Sequence, residues 1–258
     1  MTRLDPTRLR QWHSRAAGQL LPRPVVFHHI PKCGGTSVGR ALRRRYFLSQ
    51  AGLRTAASDS ALARMGQTET SAPLHPFREA MLLYHLNCGV RAIAMHVGYS
   101  PRAYADFAGR YCFATILREP VARFMSQLCW NADHPDGVDG IRGNLREFLE
   151  TRQAQRMGAT MVAYLSGLPP EVPPEHPDSV AAAIGNLAKF DVIGDTDAMG
   201  AFHAALSDRL GTRLRIGHEN AAGRPTQYQG VYADRIRALC APDLALWDAY
   251  RAQRRQAA

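Results

Sequence analysis

Apolar positions concentrate in four short runs, Val25–Ile30, Ala92–Val97, Tyr111–Leu117 and Phe190–Gly194. Short continuous runs bounded by turn residues read as strands buried on both faces. Between them apolar residues recur every three or four positions, the period of helices. Such stretches cover Val38, Ala41, Leu42 and Phe47, then Phe77–Leu86, a segment opening at Pro120, Leu145–Arg152, Ala154–Leu165, a stretch ending at Lys189, Met199–Leu210 and Asp234–Tyr250. Proline suits the first turn at Pro120 because its missing N–H would have no helical partner there. Leu53–Pro76, Asn131–Gly143 and the proline-rich Leu168–Pro177 carry no sustained period and read as loops. Strands alternating with helices predict an α/β fold of three layers, a central, mainly parallel sheet flanked by helices. Residues 1–24 read as a basic lead-in and residues 25–258 as one domain, with no internal repeat.

Composition adds little to that picture, since 46% hydrophobic and 21% charged residues in a chain of 258 describe an ordinary globular core. Charge adds more. Lys plus Arg exceed Asp plus Glu by 32 − 22 = +10, which favours anionic partners: nucleotides, acidic glycans, nucleic acid or an anionic membrane. The five cysteines are irregularly spaced without a Cys-x-x-Cys, which argues against a disulfide framework or zinc site and suits a reducing compartment. No run approaches the ~20 apolar residues needed to span a bilayer.

The sharpest chemical signal is His29-Ile30-Pro31-Lys32-Cys33-Gly34-Gly35-Thr36-Ser37, between the first strand and the first helix. Paired glycines let the backbone approach a phosphate closely, and helix N-terminal N–H groups attract the anion. Lys32 supplies positive charge, and the Thr36 and Ser37 hydroxyls can donate to phosphate oxygens or cap the helix. A Walker A loop places its lysine after the last glycine; here Lys32 precedes the pair, and the third strand ends in Arg118 rather than a magnesium-binding aspartate. A metal-dependent nucleoside triphosphatase is disfavoured. Arg118-Glu119-Pro120, followed by Ser126 eight residues after the arginine, is a second anion-binding pattern. An arginine can make paired charge-assisted bonds to phosphate, and the serine can donate from the following helix.

The Lys32–Ser37 loop resembles the 5′-phosphosulfate loop of carbohydrate sulfotransferases that use 3′-phosphoadenosine 5′-phosphosulfate (PAPS), in particular the heparan sulfate 2-O-sulfotransferase-like group. Arg118 and Ser126 resemble that family's 3′-phosphate element. Met95-His96-Val97-Gly98 resembles the segment bearing its catalytic base. The resemblance implies a P-loop-type fold in which Lys32, Cys33, Gly34, Gly35, Thr36, Ser37, Arg118 and Ser126 bind PAPS, which leaves as 3′-phosphoadenosine 5′-phosphate (PAP). It implies metal-free in-line transfer, with His96 taking a proton from the acceptor hydroxyl and Lys32 offsetting charge on the leaving phosphate. Asn220 and Arg224 match a late loop that closes over the nucleotide. His85, on a nearby predicted helix, is a competing base. Arg123 fits the family pattern but reads as a structural ion-pair residue.

The expected acceptor is a hydroxyl of a glycan or glycoconjugate, with no nucleic acid partner. The Arg40, Arg43, Arg44 and Arg45 helix face is either solvated or an acceptor contact. A Golgi enzyme of this kind begins with a membrane anchor, so a soluble cytoplasmic protein of bacterial source, or a trimmed chain, is the expectation. The rivals are a small-molecule P-loop kinase and a non-catalytic polyanion binder.

Overall fold

The computed structural model describes residues 22–52, 74–137, 139–141, 143–217 and 230–256. Five strands form one sheet: β1 (Val25–His28), β2 (Gln50–Gly52), β3 (Ala92–Met95), β4 (Cys112–Leu117) and β5 (Val192–Asp195). Their order is β2-β3-β1-β4-β5, and every pairing is parallel. The four apolar runs supply β1, β3, β4 and β5. β1 and β4 are buried along their whole length, as their apolar-rich runs predict. β2 has no such run. It is a three-residue edge strand whose two ends are exposed, so no hydrophobic signal marked it.

Helices flank the sheet: α1 (Gly35–Arg45), α2 (Leu74–Asn87), α3 (Pro101–Phe107), α4 (Pro120–Asp133), α5 (Leu145–Phe148), α6 (Arg152–Gly158), α7 (Thr160–Leu165), α8 (Pro177–Leu187), α9 (Met199–Leu210), α10 (Ala233–Leu239) and α11 (Ala241–Gln256). α3 went unpredicted, although its start is well marked. Ser100 accepts from the Ala103 N–H at 3.1 Å, and Pro101 occupies the first turn.

Register puts the last residues of β1, β3, β4 and β5 at one edge of the sheet, because His28 lies opposite Met95 and Thr115, and Leu117 opposite Asp195. From β1 the chain builds β2 and β3 on one side and then crosses to β4 and β5 on the other. Such a reversal opens a crevice at the carboxyl ends of the strands, where ligands of open α/β sheets bind. The main core wraps the sheet. A second cluster joins Phe124, Met125 and Leu128 of α4 to Phe148, Met157, Ile236 and Leu239.

His28 is buried between the rings of Phe113 and Phe190, with its Nδ1 3.2 Å from the Val97 carbonyl oxygen. Burial lowers its pKa from 6.5 to about 4. The unfolded chain therefore binds a proton that the fold refuses, and stability contributed by a neutral His28 is lost as pH falls from 6.5 towards 4. A displacement that large corresponds to about 3 kcal/mol. A His28→Leu variant should show a shallower fall in melting temperature across that window, and an unchanged slope would refute the assignment.

Candidate active site at the carboxyl edge

The loop leaving β1 turns twice through left-handed backbone. Lys32 has φ 64° and Gly34 φ 74°. Left-handed geometry is unfavourable for a residue with a Cβ, by roughly 1–2 kcal/mol, and left-handed residues build main-chain nests that bind anions. Gly34 occupies the cap position of α1, and no side chain caps that helix. Thr36 and Ser37 therefore do not cap; they lie within the first turn, Thr36 exposed and Ser37 buried. The neighbouring elements at this edge differ. Ser100 caps α3, the Glu119 carboxylate accepts from the Val121 and Ala122 N–H groups of α4 at 3.1 and 2.6 Å, and Asp195 accepts from the Asp197 N–H after β5 at 2.8 Å.

Cys33 lies on the inner side of this turn. Its side chain is buried, its thiol is pushed up to about 12 by that burial, and its N–H points to the Ile30 oxygen at 3.3 Å. It packs the underside of the loop. Gly34 faces the end of β5 instead: a Cβ there would stand 3.7 Å from Thr196 Cγ2.

Arg118, the first residue beyond β4, donates from Nη1 to the Lys32 carbonyl at 3.0 Å. The Lys32 loop and the Arg118 strand end, 86 residues apart in the chain, thus meet. Burial, then the Arg118 guanidinium, lowers the Lys32 pKa, with the Cys129 thiol acting the other way. The Lys32 ammonium lies 4.4 Å from the centroid of the Trp130 ring, a cation–π contact. Half-buried Ser126 precedes Cys129 and Trp130 by three and four positions on α4, so it lies on the helix face that borders Lys32. Arg123 has the structural role expected of it: fully buried, it faces Asp243 at 3.7 Å and donates to the Met157 carbonyl.

His96, the first residue beyond β3, stacks on His29 with ring centroids 4.0 Å apart. Its Nδ1 is buried and has no hydrogen-bond partner among the described residues. Burial, reinforced by the Arg78 guanidinium and opposed by a hydrogen bond to the His29 backbone, lowers its pKa to about 4. The ring is neutral at physiological pH. His85 sits in the last turn of α2, where its carbonyl accepts from Val90 just ahead of β3. That is the amino edge of the sheet, away from the Lys32 loop.

Arg40, Arg43, Arg44 and Arg45 of α1 are all exposed. The Arg43 guanidinium lies against Gly39 and Gly52, whereas Arg45 donates to Thr212 Oγ1 at 2.7 Å. Asn220 and Arg224 lie outside the described residues.

Sequence reasoning did not bring Arg78, Trp130, Thr196 or the His29 ring to this edge of the sheet. Arg78 gave one signal, a lone cation in the apolar stretch Phe77–Leu86. Two surface concavities, about 390 Å³ beside Glu175 and Arg235 and about 510 Å³ beside Gly137 and Glu147, are lined by none of these residues. Among the described residues no group of three His, Cys, Asp or Glu could hold a metal ion, and no helix is long and apolar enough to cross a membrane. No family model and no curated protein matches the chain.

Proposed function

We propose that this protein is a PAPS-dependent sulfotransferase of P-loop type acting on a hydroxyl, with a glycan as the acceptor class. The observation that carries the reading is the Arg118–Lys32 contact. It joins two cationic motifs at the switch point of the sheet, beside a helix start without a side-chain cap and a neutral histidine whose buried nitrogen has no partner among the described residues.

The residues present suit such a donor. The α1 N-terminus and the left-handed Lys32–Gly34 turn offer N–H groups to a phosphosulfate. Arg118 offers a planar fork to a second phosphate, with Ser126 as a neutral donor. PAPS supplies, as substrate, a sulfuryl group on a phosphate leaving group. The acceptor oxygen bonds to sulfur while the sulfur–oxygen bond to phosphate breaks, and His96 takes the hydroxyl proton. Lys32 counters the negative charge gathering on the released phosphate, a preorganised electrostatic contribution.

Binding distinguishes this reading from a kinase or a general polyanion binder. PAP should raise the melting temperature more than ADP does, or ATP with Mg²⁺, because only ligands selective for the folded state stabilise it by mass action. Arg118→Ala should weaken PAP roughly 10–100-fold, the loss expected for hydrogen bonds to a charged group, and leave ADP nearly unaffected. Lys32→Gly relaxes the left-handed backbone, so the melting temperature should hold while turnover and donor affinity both fall. Equal shifts with PAP and ADP, or steep loss of PAP binding with salt alone, would overturn the assignment.

A further inference from the structure

His29 and His96 sit side by side for a structural reason. The β1–β3 register pairs His28 with Met95, and the His29 N–H donates to the Met95 carbonyl at 2.9 Å, which carries the pairing one residue past the strands. The two imidazoles consequently stack at 4.0 Å, 26° from parallel. The opposite side of His29 is equally occupied. A Cβ on Gly35 would lie 2.2 Å from His29 Cδ2 and 2.6 Å from its Nε2, so the glycine is required there by the ring. One imidazole thus fills the space between the first turn of α1 and the face of His96.

We infer that His29 is a positioning residue, a wedge that fixes the ring of the proton acceptor His96 against the donor-binding turn. The inference rests on the sulfotransferase reading for its kinetic consequences, but its geometry does not. A stacked neighbour limits rotation of the His96 ring, so its unpartnered Nδ1 keeps one direction. Placing a catalytic group within tenths of an ångström matters because misplacement by 1 Å can cost 10²-fold in rate. The charged and titratable groups facing the pair are Arg78 from α2, beside His96, and Arg43 from α1, beside His29. Neither replaces the steric role of the ring.

Four proteins test this: wild type, His29→Phe, His29→Ala and the double variant His29→Ala/Gly35→Ala. His29→Ala should lower turnover roughly 10–100-fold while PAP affinity stays within about twofold of wild type. His29→Phe keeps a stacked ring without nitrogen and should recover turnover to within a few-fold. In the double variant the added methyl refills the space next to α1. It should fold yet remain slow, because nothing stacks on His96.

A readout independent of catalysis is the NMR titration of the His96 ring. In His29→Ala its pKa should rise towards 6.5 as solvent reaches it, and in His29→Phe it should stay low. Full activity in His29→Ala, loss in His29→Phe as severe as in His29→Ala, full recovery in the double variant, or an unmoved His96 titration would each overturn the wedge. If wild type binds no PAP, the donor reading fails while the titration still decides the His29 geometry.

Discussion

Turnover should fall roughly 10²–10⁴-fold in His96→Ala, the range lost when a positioned general base is removed, with PAP binding within about twofold of wild type. Split effects of this kind separate a group that acts on the acceptor from one that holds the donor. The ring is neutral at pH 7 because burial and Arg78 hold its pKa at about 4, so no proton must leave before it can accept one. A base with so low a pKa is weak, and the negative donor corrects this, since a nearby opposite charge favours the imidazolium. At saturating donor, kcat/KM for the acceptor should therefore be flat around neutrality. It should decline in acid along a limb lying above pH 4. Near-normal turnover in His96→Ala would remove the base from the mechanism.

The second large effect concerns stability. Arg123→Ala should lower the free energy of unfolding by about 3–5 kcal/mol, the cost of breaking a buried ion pair by deleting one partner. Arg123 from α4 faces Asp243 on α11 and donates to the Met157 carbonyl at the end of α6, while Asp243 accepts from Met161 and Val162 of α7 at 3.0 and 2.9 Å. Four helices converge on two side chains. Burial already raises the Asp243 carboxyl to about 6, against the pull of Arg123 and the two N–H donors. Without the guanidinium it moves higher still. A folded-state pKa raised above the unfolded value adds stability below the unfolded value and loses it as pH rises. The variant should thus be more severely destabilised at pH 8 than at pH 5. Urea denaturation at both values checks this, and a loss below 1 kcal/mol, or one independent of pH, would contradict it. Because α4 also carries Ser126 and Trp130, the same variant should weaken PAP.

Much of the fold was readable because β1, β3, β4 and β5 are largely buried, and such burial leaves short apolar-rich runs. β2 escaped because an edge strand of Gln50, Ala51 and Gly52 is held by hydrogen bonds to β3, and such bonds leave no trace in side-chain hydropathy. The start of α3 was readable in principle from Ser100-Pro101, a cap and first-turn pair that the search for long periods passed over. At the site, Lys32 and Arg118 were proposed from a paired-glycine turn and from a strand end, and His96 from the family resemblance of its segment; the structure places Arg118 and His96 one residue past β4 and β3. That the Cys33 side chain turns inward was not legible, because motif position cannot tell an inward side chain from an outward one. The His29–His96 stack was beyond sequence reasoning, since it depends on the register of two strands 67 residues apart (96 − 29).

The most direct trial is the structure of the protein crystallised with PAP. One molecule should span the carboxyl edge, its 5′-phosphate on the Gly34–Thr36 backbone and its 3′-phosphate on Arg118. Nucleotide bound elsewhere, or phosphates that avoid both motifs, would contradict the account.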